Sequence, residues 1–380
     1  MADSTSLSKR ERVSGVELYR IIAAVLICWS HTAQTFVIRY SGVEGVANYF
    51  LQFIRNYFGQ AGNLIFIICS AYFLVDSRGV KSNKAIKILL DSTFISVLIY
   101  LGFLLGGREF SLEECVRQLL PDFFENMWFV PIYVLFYMIH PFLNAAIRGV
   151  SERTLLTFCV IVFVFYGFGG LFFDWNLGMS NLAWFVIVYL IVAYFKLYQS
   201  DFCNNKKVNA WVFVFSAVLF VALATANYCL HWNVILPLFY SPVFFPLIFS
   251  GFNLLRMANF HSKTVNYVAS CSLYFYCIHE NVLVRDVLRV DFYNYFMSLN
   301  PQVAAVYPFL CFVVWLVGGY ALSLLYKVLF APLADFLSRK LAKVFDKAMD
   351  FVAARTSNCV AATTAEADTA ETAETDLNAR

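Results

Sequence analysis

Ten apolar stretches, each about 20 residues long, divide this chain, and that pattern limits its fold more than any other feature. A helix of that length spans the hydrocarbon core of a bilayer, and in lipid every backbone polar group must find its partner inside the segment. The stretches run near residues 15–38, 58–76, 86–106, 127–147, 154–173, 181–199, 208–230, 233–255, 265–288 and 303–332. The expected fold is an all-α integral membrane protein of about ten transmembrane helices. The segment "EGVANYFLQFIRNYF" ahead of the second stretch is amphipathic and is expected at the membrane surface.

Composition agrees. Of 380 residues 61% are hydrophobic and 14% charged, where a soluble domain is nearer half apolar and a quarter charged. The lipid bilayer is therefore the first expected partner. No Lys/Arg cluster lies on a folded soluble domain, so nucleic acid is not an expected partner. Ten cysteines are scattered without a CxxC or a metal-like Cys/His spacing, so neither a zinc site nor a disulfide framework is indicated, and no metal is expected. Lys9, Arg10 and Arg12 precede the first apolar run, but no small-residue cleavage site follows, so it reads as a retained first span.

Basic residues set the orientation. With the N-terminus inside, the cytoplasmic loops carry Lys9, Arg10, Arg12, Arg78, Lys81, Lys84, Lys87, Arg148, Arg153, Lys196, Lys206, Lys207, Arg256, Lys263 and Lys327. The outer set is Arg39, Arg55, Arg108, Arg117, Arg285 and Arg289. Both termini are expected to be cytoplasmic. The expected organisation is a cytoplasmic segment over 1–14, a membrane domain over 15–335, and a cytoplasmic segment over 336–380. That last segment ends in an Ala/Thr/Glu-rich tail too poor in apolar residues to bury a core.

Ionisable groups inside such spans are costly and point to function. The first span carries Glu17, Arg20 and His31. Arg20 and His31 are separated by three helical turns, so they share one face about 16 Å apart along the axis. Glu17 is placed to pair with Arg20. A second histidine, His279, followed by Glu280, lies about as far into the span at 265–288, which runs in the same direction. The two histidines are thus expected at similar depth, where neighbouring helices would give them one polar chamber. The bland readings are a snorkelling arginine and helix-capping or helix-bridging histidines. His140 precedes Pro141, which frees a backbone carbonyl for a polar neighbour, and is read as structural. His231 and His261 read as loop residues. Trp128, Trp175, Trp184 and Trp232 fall at outer span ends, as an aromatic belt would; the sharper reading is a platform for a sugar ring.

With these residues in view the chain resembles a known family. "ELYRIIAAVLICWSH" resembles the first-helix signature of membrane acyltransferase family 3, an Arg, ten residues, then a His. "FGQAGNLIFIICSAYFL" resembles its second helix, with Ala71 in place of the usual Gly. "LLPDFFENMWFVPIYVLFYMIHPFLN", "WFVIVYLIVAYFKLY" and "VNYVASCSLYFYCIHEN" resemble later motifs in the family's order. The paired-arginine motif of some members has only a loose counterpart in the basic group Arg78, Lys81, Lys84 and Lys87. The resemblance implies transfer of an acyl group, usually acetyl from acetyl-CoA, across the membrane to a sugar hydroxyl of a surface or exported polysaccharide, and so a cell-membrane location. On that reading Arg78, Lys81, Lys84 and Lys87 meet the CoA phosphates, with Arg20 farther in. For the loop group alone, the bland reading is the positive-inside rule. His31 is the expected general base, a transient acyl-histidine being the variant. His279 would assist, while Trp128, Ser70 and Glu280 would contact the acceptor. A transporter of a glycan or small solute fits the topology as a rival, but no repeat or paired broken helices are evident. A non-catalytic scaffold would leave the Arg20–His31 stripe without a purpose.

Overall fold

The computed structural model describes residues 12–39, 45–77, 79–124, 127–168, 181–230, 241–299 and 306–351. Among them all regular structure is helical, with no strand. In chain order the helices are α1 (Ser14–Arg39), α2 (Gly45–Phe53), α3 (Gly59–Leu74), α4 (Ser82–Leu105), α5 (Leu112–Leu119), α6 (Phe129–Gly149), α7 (Glu152–Ile161), α8 (Asn181–Tyr198), α9 (Ser200–Asn204), α10 (Lys206–Cys229), α11 (Phe244–Arg256), α12 (Lys263–Ala269), α13 (Ser272–Glu280), α14 (Arg289–Leu299) and α15 (Tyr307–Leu329). A last helical stretch, α16, covers 331–351. Wider π-type turns occupy Ile54–Phe58, Val162–Phe168 and Leu283–Leu288. Side chains of Ser111, Ser151, Asn205 and Ser262 cap α5, α7, α10 and α12 by accepting from backbone N–H groups in the first turn.

Six helical runs are long and apolar enough to cross a membrane, and α8 and α11 contribute shorter apolar helices. Two expectations shift. The segment "EGVANYFLQFIRNYF", read as a surface element, instead continues through the π turn into α3. Gly45–Leu74 is one run of 30 residues. Leu51, Ile54 and Tyr57 are buried along one face of it, while Val46 and Phe50 are exposed. The stretch at 265–288 is not one rod but α12, α13 and a π turn, with breaks at Ser270–Cys271 and Asn281. The final part of the stretch at 154–173 and the first part of that at 233–255 lie outside the described residues, as do Trp175, Trp232, His231 and the Ala/Thr/Glu-rich tail.

Burial separates an inner layer from a rim. In α1 56% of the crossing window is buried, and in the Gly45–Leu74 run 61%, against 22% in α10 and 28% in α15. Thus α1 and α3 form the centre, and the apolar rim is left to lipid. Their pairing depends on small residues, as expected where helices cannot be driven together by water. A Cβ on Gly62 would lie 2.6 Å from the Ala23 carbonyl oxygen and 2.5 Å from Ile27 Cγ1. Nearby, Ser30 Oγ donates to the Arg55 carbonyl at 2.9 Å, satisfying a backbone group within the π turn.

The proline inside α6 is accommodated by the same accounting. Pro141 has no N–H to give the carbonyl four residues back, that of Tyr137, and His140 Nδ1 lies 2.5 Å from that oxygen. His140 is fully buried and substitutes for the missing backbone donor. Toward the other end of the bundle, Ser92 Oγ donates to Asp122 Oδ1 at 2.9 Å and ties the segment after α5 to α4.

Two stability predictions follow from these contacts. Gly62→Val should destabilise the detergent-solubilised protein by about 1–3 kcal/mol through overpacking, measured as a drop in thermal midpoint; Gly149→Ala, which meets open space, should not. Burial pushes the Asp122 carboxyl up to about 6, against the lowering effect of the Ser92 hydroxyl. Raised above the unfolded value of about 3.9, it favours the fold at low pH and loses that contribution as pH rises through about 6. Asp122→Asn should therefore raise the thermal midpoint at pH 7.5 and leave it nearly unchanged at pH 4.

Candidate active site

Helix α1 carries both ends of the site. Near its start, Arg20 Nη1 approaches Glu17 Oε1 at 3.4 Å. The arginine lines a cavity of about 310 Å³ together with Arg12, Lys84, Lys87, Ser70 and Asp91. Lys84 is steadied over the Tyr137 ring at 4.6 Å, and Lys87 Nζ is 2.7 Å from Asp91 Oδ2. Tyr326 donates to the other Asp91 oxygen at 2.7 Å. Ser70 Oγ is 3.4 Å from the Tyr133 hydroxyl, which also faces the cavity. Four cations and one carboxylate line the cavity; Arg20 is paired with Glu17 and Lys87 with Asp91, which leaves Arg12 and Lys84 without an ion pair among the described residues.

Toward its far end the cavity is lined by Ile27 and Tyr276. One turn beyond, about 6 Å along each helix, lie His31 on α1 and Glu280 at the end of α13. His31 Nδ1 is 2.7 Å from Glu280 Oε1 and 3.2 Å from His279 Nε2. The two histidines are brought together from opposite ends of the sequence.

The partners determine the tautomers. His279 Nδ1 faces the Phe275 carbonyl at 2.8 Å. A carbonyl only accepts, so Nδ1 carries the hydrogen and Nε2 the lone pair. His31 Nδ1 then faces two acceptors, that nitrogen and the Glu280 carboxylate. It must carry the hydrogen itself, so in the neutral ring Nε2 is the lone-pair nitrogen. Exposure agrees with this division. The His31 side chain is 22% exposed, against 8% for Glu280 and 2% for His279. His31 is thus the most exposed of the three side chains.

A fourth group fixes the cluster. Arg289 donates to the backbone carbonyls of both His279, at 2.6 Å, and His31, at 3.3 Å. Its Nη2 is also 3.7 Å from Glu280 Oε1. Asn281, fully buried, donates to Gln118 Oε1 at 2.8 Å and accepts from the Leu283 N–H at 3.0 Å. That pins the break after Glu280 and so the carboxylate's position. His31 Nδ1, His279 Nε2 and Glu280 Oε1 lie within 4.8 Å of one another, a spacing a divalent cation could bridge. Arg289 already supplies positive charge at the same oxygen.

Other expected residues sit elsewhere. Trp128 packs edge-to-face on Phe129 at 5.8 Å, and no contact among the described residues joins it to His31. The Lys81 side chain is exposed, its backbone N–H donating to the Tyr137 hydroxyl at 3.0 Å, and it is not part of the cavity wall. Arg78 lies outside the described residues. Sequence reasoning missed Asp91, Asn281 and the inward role of Arg289. Asp91 was open to the rule that singled out Glu17, since it is the one acidic residue in the stretch at 86–106.

The described residues thus form a helical membrane protein with a His–Glu pair one turn beyond a cation-lined cavity. The chain belongs to acyltransferase family 3: the family's model, described as an acyltransferase domain, matches residues 13–332. No curated protein and no solved structure matches it.

Glu280→Gln keeps the shape and removes the negative charge 2.7 Å from His31 Nδ1. Acyl-transfer turnover should fall about 100-fold or more with the donor KM little changed, measured by steady-state kinetics on purified protein.

Proposed function

We propose that this protein is an integral-membrane O-acyltransferase of the cell membrane, with both termini cytoplasmic. It would move an acetyl group from cytoplasmic acetyl-CoA to a sugar hydroxyl of a surface or exported polysaccharide. The observation that carries the reading is the Glu280-held His31, its Nε2 free, one turn beyond a cavity lined by cations.

The donor's phosphates suit Arg12, Lys84 and Lys87. Arg20, farther in, guides the pantetheine arm toward Ile27 and Tyr276. The acceptor approaches from the opposite side. His31 Nε2 takes the proton of the sugar hydroxyl as its oxygen attacks the thioester carbonyl. The C–S bond breaks, the acetyl group stays on the sugar oxygen, and the CoA thiolate leaves to the cytoplasm, taking up a proton. In the transition state the imidazolium forms against Glu280, which compensates its charge in a low-dielectric site. His279 accepts at Nε2 and acts as an orienting residue rather than an acceptor contact. Positive-inside loop charge supports the cytoplasmic placement of the donor cavity.

Two substitutions test this. His31→Ala, with membrane insertion confirmed, should abolish acetyl ester on the cell-surface glycan; undiminished ester would overturn the assignment. Arg20→Ala should raise the KM for acetyl-CoA about 10-fold or more, the loss of one charge-assisted contact. An unchanged KM and turnover would remove Arg20 from the donor path.

A further inference from the structure

A second cavity, of about 720 Å³, meets the site from the side. It lies between α4 and α15 and ends against His279. Its wall follows α4 from Ile99 to Gly106, about 10 Å, and is apolar except for His279, the Trp315 indole and, at the end of α4, Arg108. Arg108 is exposed, has no ion-pair partner among the described residues, and rests 5.8 Å from the Phe103 ring. It belongs to the outer set of basic residues, so the slot descends from the outer end of α4 toward the depth of His31.

The slot's width is not a by-product of helix packing. Gly102 and Gly318 face it from the two helices, and a Cβ on either would meet nothing within 4 Å. Glycine inside a helix is destabilising relative to alanine, yet here no neighbour requires it. With no side chain at these two positions the wall of the slot is open there.

We propose that this slot binds the acceptor as a lipid: a membrane lipid that carries the sugar through a phosphate, its apolar chain between α4 and α15 and its phosphate on Arg108. The proposal rests on the transferase reading of His31 and names the form in which the acceptor arrives. Charge complementarity at the rim and an inner end at His279, the hydrogen-bond partner of His31, favour this occupant over an ordinary bilayer lipid. The latter needs neither a lone cation nor access to the catalytic depth. A sugar held this way is brought to His31 from within the bilayer plane, while the donor comes up the separate cavity on the other side.

The test is photolabelling of the full-length protein in zwitterionic nanodiscs with a diazirine-bearing prenyl phosphate, with no acyl-CoA present. Label should map to α4 and α15 around Phe103 and Gly318. A prenyl-phosphate-linked sugar should compete it away, and excess phosphatidylcholine should not. Gly318→Leu, which fills the slot, and Arg108→Gln should each cut labelling at least 10-fold, with acetyl-CoA binding unchanged. Labelling indifferent to both substitutions, or displaced equally by phosphatidylcholine, would overturn the proposal. Because no acyl transfer is involved, a failure here is separate from a failure of His31 as base.

Discussion

The Glu280 carboxylate sits where an uncompensated charge would not be tolerated, and the architecture around it is organised by that demand. An ion inside a low-dielectric bundle costs several kcal/mol unless it is paired and hydrogen-bonded. Here the compensation comes from three elements: His31 on α1 at 2.7 Å, Arg289 on α14 at 3.7 Å, and Arg285 of the π turn at 4.0 Å. Each partner must be held in place. The close α1–α3 approach at Gly62 holds α1, Asn281 and Gln118 hold the end of α13, and the Arg289 fork joins the two histidine backbones. Removing any one exposes the others to the same cost, so the site and the bundle core are not separable.

Much of this was legible in sequence, for a definite reason. The length of apolar runs reports the bilayer, and the bilayer forbids anything but helix along them, so the fold class needs no tertiary information. The expense of an intramembrane charge singled out Arg20, His31, His279 and Glu280. Helical periodicity placed Arg20 and His31 on one face.

What sequence did not show depends on contacts between distant segments. That His31 meets Glu280 rather than a substrate carboxylate is a matter of which helices are neighbours. Arg289 was counted as an outer-loop cation because charge counting cannot see a side chain turned inward to two carbonyls. The segment at 45–58 has an amphipathic pattern because one face meets α1 and the other does not. The same pattern would serve at an interface, and only burial of Ile54 and Tyr57 decides between them. Likewise the interruption at Asn281 has no proline or glycine to announce it. It is maintained by a buried amide pair.

The cavity's far wall at Ile27 and Tyr276 stops one helical turn short of His31. A membrane that stores energy as ion gradients cannot carry an open aqueous channel through a protein embedded in it. The lining of the cation-bearing cavity ends at Ile27 and Tyr276, before the histidine pair, so among the described residues the two do not form one continuous water path.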